Sequence, residues 1–427
     1  MCYRIAGIDV HKKMLAVVVA DVAGPGEYEF ERRKFGAAPA DLRELAGWLL
    51  EREVEEVVME STAQYWRPVW HTLEQDWRRG CQQREGAGKM AGTLHLAQAK
   101  SNRGARGRKN DFADAERLVK RLVAQELVLS FVPDPEQRLW RTLTHRKQQL
   151  IQDRGRLQNR LEMLLEQAHI KLSSLVSDLL GVSGRRMLEA LAEGETDPAA
   201  LAALADRRLR ATPEQLRDAM GACTELDVVY RRLLKMSLEE LQLLERHVDQ
   251  LDQEISRLLR PHQEAVQRLA EVPGLGVDSA QQIIAEIGPT AAVFLSAKKL
   301  SSWIGVCPGE EQSAEVSQST RSPRGNRTMR RILNQAAHAA VKMKASIWEL
   351  VFRRLKQRLQ YQEAIWAIAH RLCRLIWKIL HQGVRYEERG PAVSAKSKRD
   401  RTSRMIRELR AAGYRVEAAS PLVEGLA

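Results

Sequence analysis

Apolar residues crowd the first 35 positions in runs that step by one and two rather than by three and four. "YRIAGIDV" (3–10) is an apolar run that closes on Asp9. "HKK" supplies a turn, and "MLAVVVADV" is β-branched and unbroken, as a strand buried on both faces should be. "GEYEFERRKF" alternates and predicts a third strand nearer an edge. Over 39–52 the spacing lengthens to that of a helix, with Leu42, Leu45, Leu49 and Leu50 on its apolar side. "EVEEVVMEST" predicts another strand, running straight into Glu60, and a helix follows around 64–77. The stretch 78–93, "RRGCQQREGAGKMAGT", carries almost no apolar signal and makes a poor strand. A helix resumes from Asp111 to about Ala124. Strands first, then strand and helix in alternation, predict an α/β or α+β domain.

Beyond "FVPDPEQ" (131–137), a turn or linker, the pattern is helical. Leu139, Leu143, Leu150, Leu157, Leu161 and Leu164 draw a narrow stripe along 136–170, which predicts a long helix in an antiparallel or intermolecular coiled coil. Short helices fill 173–220, and a second long amphipathic helix spans 225–260, ended by Pro261. The stripes leave open whether the two pair with each other or drive dimerisation. From about 264 a third region begins, where "VPGLGVDSAQQIIAEIG" sets Pro-Gly-x-Gly between two helical patterns. A helical run rich in Trp, Leu and Arg reaches about 382. The tail is basic and polar up to "RMIRELRAAGYRVE", which reads as a small helix and strand. The expected divisions are 1–130, 131–262, 263–390 and 391–427, with no internal repeat; 427 residues are too many for one core.

Composition adds a partner. There are 68 Lys and Arg against 55 Asp and Glu, a net charge of +13. The excess is mostly Arg, whose fork matches phosphate geometry, so a nucleic acid is expected. Cys2, Cys81, Cys223, Cys307 and Cys373 form no CxxC pair and read as reduced thiols. No long apolar signal core or 18-residue apolar run is present, so a soluble cytoplasmic protein is expected.

Four acids then stand out. Asp9 and Glu60 end strands, while Asp111 and Asp114 open a helix three apart, on one face. Taken singly, each reads as a strand-end turn or a helix cap. Taken together, acids from neighbouring strand ends and one helix are how ribonuclease-H-like folds hold Mg²⁺, since hard cations want oxygen ligands. Just before the helical pair, Arg103, Arg106, Arg108 and Lys109 crowd a glycine-containing loop suited to phosphate. Arg321, Arg324, Arg327, Arg330 and Arg331 make a second basic cluster where a loop opens a helix. Trp303, Trp348, Trp366 and Trp377 read as core residues rather than base-stacking platforms.

"GIDVHKKMLAVVVAD", "VVMESTAQYWRPVW", "GRKNDFADAERL", "VPGLGVDSAQQIIAEIG", "SWIGVCPGEEQSA" and "RSPRGNRTMRRILNQAAHAA" follow one another in this order. Together they resemble the DEDD-type insertion-sequence transposases over about residues 4–390. The resemblance implies a RuvC-like (ribonuclease-H-like) N-terminal domain, a coiled-coil middle and a mostly α-helical C-terminal transposase domain. It maps the D-E-D-D letters onto Asp9, Glu60, Asp111 and Asp114. It also implies Mg²⁺ (or Mn²⁺), donor and target duplexes, a structured RNA from the element's flank, and a homo-oligomer, dimer or tetramer. In the family a C-terminal serine joins the acids in one composite site, attacks DNA and leaves a phosphoserine link. That serine falls five residues after the proline of the "CPG" stretch, at Ser313, with Ser317 and Ser319 close by. Without the resemblance Ser313 is a plain loop serine, with no adjacent His to activate it. "VPGLGVDSA" resembles a helix-hairpin-helix turn that can hold a phosphate. The 78–93 segment departs from the pattern, which needs a fifth strand or its surroundings there, and reads as a Gly- and Arg-rich loop. A junction nuclease that uses water, and an inactive nucleic-acid-binding protein, are the rival readings.

Overall fold

The computed structural model describes residues 3–24, 27–61, 63–84, 92–99, 110–307, 311–313, 316–319, 322–388 and 395–417. They fall into two compact units, Met1–Pro133 and Asp134–Ala427.

The first unit is built on six strands: β1 (Tyr3–Val10), β2 (Met14–Gly24), β3 (Glu27–Gly36), β4 (Glu56–Ser61), β5 (Thr93–Ala97) and β6 (Leu129–Ser130). Their order is β3-β2-β1-β4-β5-β6. β1, β2 and β3 form an antiparallel meander, β4 and β5 run parallel to β1, and β6 closes the edge antiparallel to β5. This mixed sheet fits the ribonuclease-H-like domain that the resemblance implies.

Side chains alternate across a strand, so the two faces can be read off residue parity. Ala6, Ile8, Val10, Val57 and Met59 pack on one face beneath α1 (Pro39–Glu51), α2 (Trp66–Thr72) and α3 (Arg78–Arg84), with Leu45, Leu49, Leu73 and Trp77. Ile5, Val18 and Ala20 lie on the other face against Ala115 and Val119 of α4 (Asp111–Val123). Each fully buried aliphatic side chain contributes about 1.5–3 kcal/mol. Burial on both faces explains why β1 and β2 read as unbroken apolar runs.

The weak stretch 78–93 needs correction. It holds α3, which continues α2 through a π-helical turn at Leu73–Trp77. The fifth strand, "TLHLA", starts only at Thr93 and pairs parallel with β4. Gly80 makes room for Leu50, whose Cδ1 lies 2.7 Å from where a Cβ would stand. A helix packed this closely needs a glycine and polar outward residues, which together look like a loop.

In the second unit, α5 (Pro135–Gln167) precedes short helices α6 (Val182–Glu193), α7 (Pro198–Ala203) and α8 (Pro213–Ala219), then α9 (Val228–Leu258). Asp134 caps α5 by accepting the Gln137 amide at 2.8 Å. Lys147 bonds Asp252, Arg154 reaches Glu245 at 3.4 Å and Arg160 reaches Glu240 at 2.8 Å. Numbers rising on α5 meet numbers falling on α9, so the long helices pair antiparallel within one chain. Leu157, Leu161, Leu234, Leu238 and Leu241 share one buried cluster with α6–α8.

A separate core follows, from α10 (Gln263–Ala270), α11 (Val277–Ile287), α12 (Ala297–Ile304), α13 (Arg327–Val341), α14 (Ile347–Lys356) and α15 (Tyr361–Gln382). Trp348 and Trp377 are buried in it, and Trp303 and Trp366 pack against it, as expected of core residues. A hairpin of β7 (Glu311–Ser313) and β8 (Val316–Ser319), unforeseen in the sequence, lies between α12 and α13. In the tail α16 (Ala395–Ala411) forms, but 414–417 make no strand. Tyr414 instead turns into the core, where its hydroxyl accepts from Gln281 at 2.9 Å. Cys81, Cys223, Cys307 and Cys373 are free thiols. Among the described residues no helix is long and apolar enough to cross a membrane.

Candidate active site

Asp9 on β1 and Glu60 on β4 are register partners in the parallel pair. By parity both lie on the Ile5 and Gly7 face, the one α4 covers. Gly7 sets how closely α4 comes. A Cβ there would stand 2.3 Å from the Ala115 carbonyl oxygen and 2.9 Å from Val119 Cγ2. Asn110 fixes where α4 starts, its side chain accepting the Phe112 N–H at 3.1 Å. The first turn of α4 therefore delivers Asp111 and Asp114 beside the ends of β1 and β4.

A cavity of about 100 Å³ opens there, lined by Asp9, His11, Glu60, Asp114 and Arg117 with Val10 and Leu118. Asp111 joins through His11, whose Nε2 lies 3.1 Å from Asp9 Oδ2 and 3.3 Å from Asp111 Oδ1. The structure thus gathers all four expected acids. It adds two residues that sequence reasoning missed. His11 sits in the turn after β1, where its N–H donates to the Met14 carbonyl at 3.0 Å. Arg117 pairs with Asp114, three residues before it on α4. That i, i+3 spacing was a signal available for Arg117; His11 had only its place two residues after Asp9.

Burial pushes the Glu60 carboxyl above its usual range; Arg117 opposes this, and Asp9 and Asp114 add to it. Glu60 Oε2 is buried with no hydrogen-bond partner. A buried carboxylate oxygen without a partner is costly, and a cation beside it would offset that cost. The donor set of four carboxylates suits a hard divalent ion. These residues therefore fit the metal that a DEDD site implies.

The other expected residues are dispersed. Ser313 ends β7 in the second unit, opposite Val316; its side chain, with those of Ser317 and Ser319, lies outside the described residues. So do Arg103, Arg106, Arg108, Lys109 and Arg321. Arg324 and Arg327 are exposed. Arg330 and Arg331 are instead taken up by their own unit. Arg330 bonds the Gly305 carbonyl and Ser322 Oγ, the latter at 3.1 Å, and stacks 4.6 Å from the Trp366 ring. Arg331 donates to Gln282 Oε1 at 2.5 Å. Gly325 allows this packing, since a Cβ there would lie 2.1 Å from the Ile304 carbonyl oxygen. In "VPGLG", Gly274 (φ +86°) likewise sits against α13, with a Cβ position 2.2 Å from the Ala336 carbonyl oxygen.

A ribonuclease-H-like sheet with four carboxylates at adjoining strand and helix ends defines a class of metal-site nucleic-acid domains. Comparison with known proteins narrows it. The DEDD transposase model of IS110 elements matches residues 6–170, and that of the "Transposase IS116/IS110/IS902 family" matches 266–351. The chain belongs to this IS110-type family of DEDD transposases. The "Putative transposase y4pF/y4sB" of Sinorhizobium fredii is 26% identical over 183 residues, 41% of this chain and 46% of that relative, so the match spans about half the relative's length. Among solved structures, Thermus thermophilus RuvC aligns with 30% of this chain and 99% of its own, at 12% identity and a TM-score of 0.22. The Aquifex aeolicus Ppx/GppA protein aligns with 58% of this chain and 99% of its own, at 9% identity and 0.16. Scores this low add nothing to what strand order and the four acids provide.

Proposed function

We propose that this chain is a divalent-metal-dependent DNA transposase of a mobile element, cutting and rejoining donor and target duplexes through a phosphoserine link. The observation that carries the reading is the convergence of Asp9, Glu60 and Asp114 on one small cavity at the end of the sheet, with Asp111 beside it through His11. In this reading the four acids hold Mg²⁺ or Mn²⁺. When bound, the ion lowers the cost of deprotonating the attacking hydroxyl and offsets charge on the phosphodiester. Ser313 is the nucleophile, and Arg117 holds Asp114 in place. Arg324, Arg327 and the 103–109 loop contact backbone phosphates, adding affinity without sequence information. Target choice falls to an element-encoded RNA, and the working form is a homo-oligomer. The antiparallel α5–α9 pair is, on the same reading, the coiled-coil middle.

The test is to incubate the full chain with the element's joined ends, a target duplex and Mn²⁺, then resolve the products under denaturing conditions. The reading expects a covalent protein–DNA adduct that peptide mass analysis maps to Ser313. It expects Ser313→Ala to lose adduct and strand transfer while still binding Mn²⁺. Cleavage that persists in Ser313→Ala without any adduct would instead establish a nuclease using water. Sequencing the nucleic acid that co-purifies with the chain addresses the RNA: one discrete species from the element's flank is expected, and random fragments would count against a guide.

A further inference from the structure

We propose that His11 is a nitrogen ligand of the ion held by Asp9 and Asp111, giving a mixed nitrogen–oxygen site that prefers Mn²⁺ to Mg²⁺. This rests on the metal-site reading above and goes one step past it, since none of the four family acids supplies a nitrogen.

Distance speaks first. Two neighbouring ligands of an octahedral ion, each about 2.1 Å from it, stand about 3.0 Å apart. His11 Nε2 lies 3.1 Å from Asp9 Oδ2 and 3.3 Å from Asp111 Oδ1, and one ligand atom from each of the three residues fits within 4.8 Å of the others. His11 Nε2 thus stands at neighbouring-ligand distance from one oxygen of each acid, and all three donors are close enough to share one ion.

Angle speaks second. Nε2 is buried, and despite two carboxylate oxygens at these distances it makes no contact with hydrogen-bond geometry. A histidine placed to bridge two acids by donating would aim its N–H along one of those lines. Here neither line has that geometry. Its backbone is held by the turn, the His11 N–H bonding the Met14 carbonyl at 3.0 Å, so the ring position follows from how β1 ends.

The chemistry of the donor then sets the preference. Carboxylates serve Mg²⁺ and Mn²⁺ alike, whereas imidazole suits transition metals. Mg²⁺ also gives up its water reluctantly. Exchanging one oxygen position for His11 therefore favours Mn²⁺ selectively.

The experiment uses the full chain and the metal ions alone. Mn²⁺ and Mg²⁺ affinities are measured by titration, and pulsed electron paramagnetic resonance of the Mn²⁺-loaded protein reads nitrogen-14 coupling at the ion. We expect a directly bound nitrogen in the unaltered chain. In His11→Ala that coupling disappears and Mn²⁺ affinity falls about tenfold or more, with Mg²⁺ affinity within about threefold; changes of this size accompany lost metal-site contacts. His11→Gln, which keeps bulk and polarity in the turn, should behave as His11→Ala does, and a melting curve checks that both are folded. No nitrogen coupling, or an unchanged Mn²⁺ to Mg²⁺ ratio in both variants, overturns the proposal. So does tighter Mn²⁺ binding in His11→Ala, which would make His11 a competing cation. Asp9→Asn separates the two levels. If it abolishes Mn²⁺ binding while the His11 variants keep the ratio, only the His11 ligand fails. If it leaves Mn²⁺ binding intact, the four-acid site itself fails.

Discussion

Replacing Gly7 with alanine would drive a methyl group into the backbone of α4. The new Cβ would meet the Ala115 carbonyl oxygen at 2.3 Å and Val119 Cγ2 at 2.9 Å, where ordinary contact begins at 3.4 Å. Backbone must give way by about 1 Å, because the nearest atom is a carbonyl and not the end of a flexible side chain. Overpacking of this kind costs about 1–3 kcal/mol. The larger effect falls on the site. α4 carries Asp111 and Asp114, while Asp9 rides on β1 two residues beyond Gly7, so a shift between the two separates the acids. A misplacement of about 1 Å can cost about a hundredfold in rate. Thermal melts, Mn²⁺ titration and strand-transfer rates on the same preparation would show a modest fall in melting temperature and a disproportionate loss of metal affinity and activity. Gly47→Ala in α1 is the control. Nothing lies within 4 Å of its Cβ position, and alanine in a helix interior stabilises by about 0.5–1 kcal/mol. If Gly7→Ala binds Mn²⁺ and transfers strands as the unaltered chain does, the β1–α4 approach does not set the site.

Glu60→Gln removes a carboxylate that burial disfavours in its charged form. The metal-free variant should melt higher than the unaltered chain at neutral pH and lose the stabilisation that added Mn²⁺ gives, as differential scanning fluorimetry would show. Glu286, with 2% of its side chain exposed, accepts from His145 at 2.6 Å and from Asn326 at 2.7 Å and lies 3.6 Å from Arg141. Burial alone would raise its carboxyl, but His145, Arg141 and Asn326 outweigh it and hold the group below its usual range. Its contribution is therefore present above the ordinary carboxylate pKa and is lost as pH falls through the lowered value. Glu286→Gln should flatten the acid limb of the melting curve, and Glu286→Ala should cost about 3–5 kcal/mol in denaturant unfolding. Arg327→Ala should leave stability unchanged and reduce the salt slope of DNA binding by about 1. Arg331→Ala should instead lower stability by about 1–3 kcal/mol by taking the Arg331 donor from the Oε1 of buried Gln282.

The strand ends were legible because burial writes them out. The apolar runs of β1 and β4 end at Asp9 and Glu60, and residue parity puts both acids on one face. Asp111 and Asp114 were legible from helical spacing behind a cap. His11 was not, because its chemistry depends on how closely α4, distant in sequence, approaches β1, which Gly7 sets. Thr93–Ala97 was missed because a short central strand is specified by the β4 edge it joins as much as by its own residues. Arg330 looked like part of a phosphate-binding face. Its fate was set by Trp366 and the Gly305 carbonyl, which no local pattern reveals. The stripes on α5 and α9 were plain, but that each partners the other shows only in the fold, from their shared leucine cluster and matched charges such as Arg160 with Glu240.

If the four acids form one divalent-metal centre, DNA strand transfer depends on it. The most direct measurement is the strand-transfer rate of the full chain against Mn²⁺ concentration, beside Asp9→Asn and Asp114→Asn variants shown by melting to be folded. The unaltered chain should show a saturable requirement for Mn²⁺, abolished by chelation, with activity lost in both variants across the whole titration. Equal rates in the variants, or full activity in chelator, would contradict it.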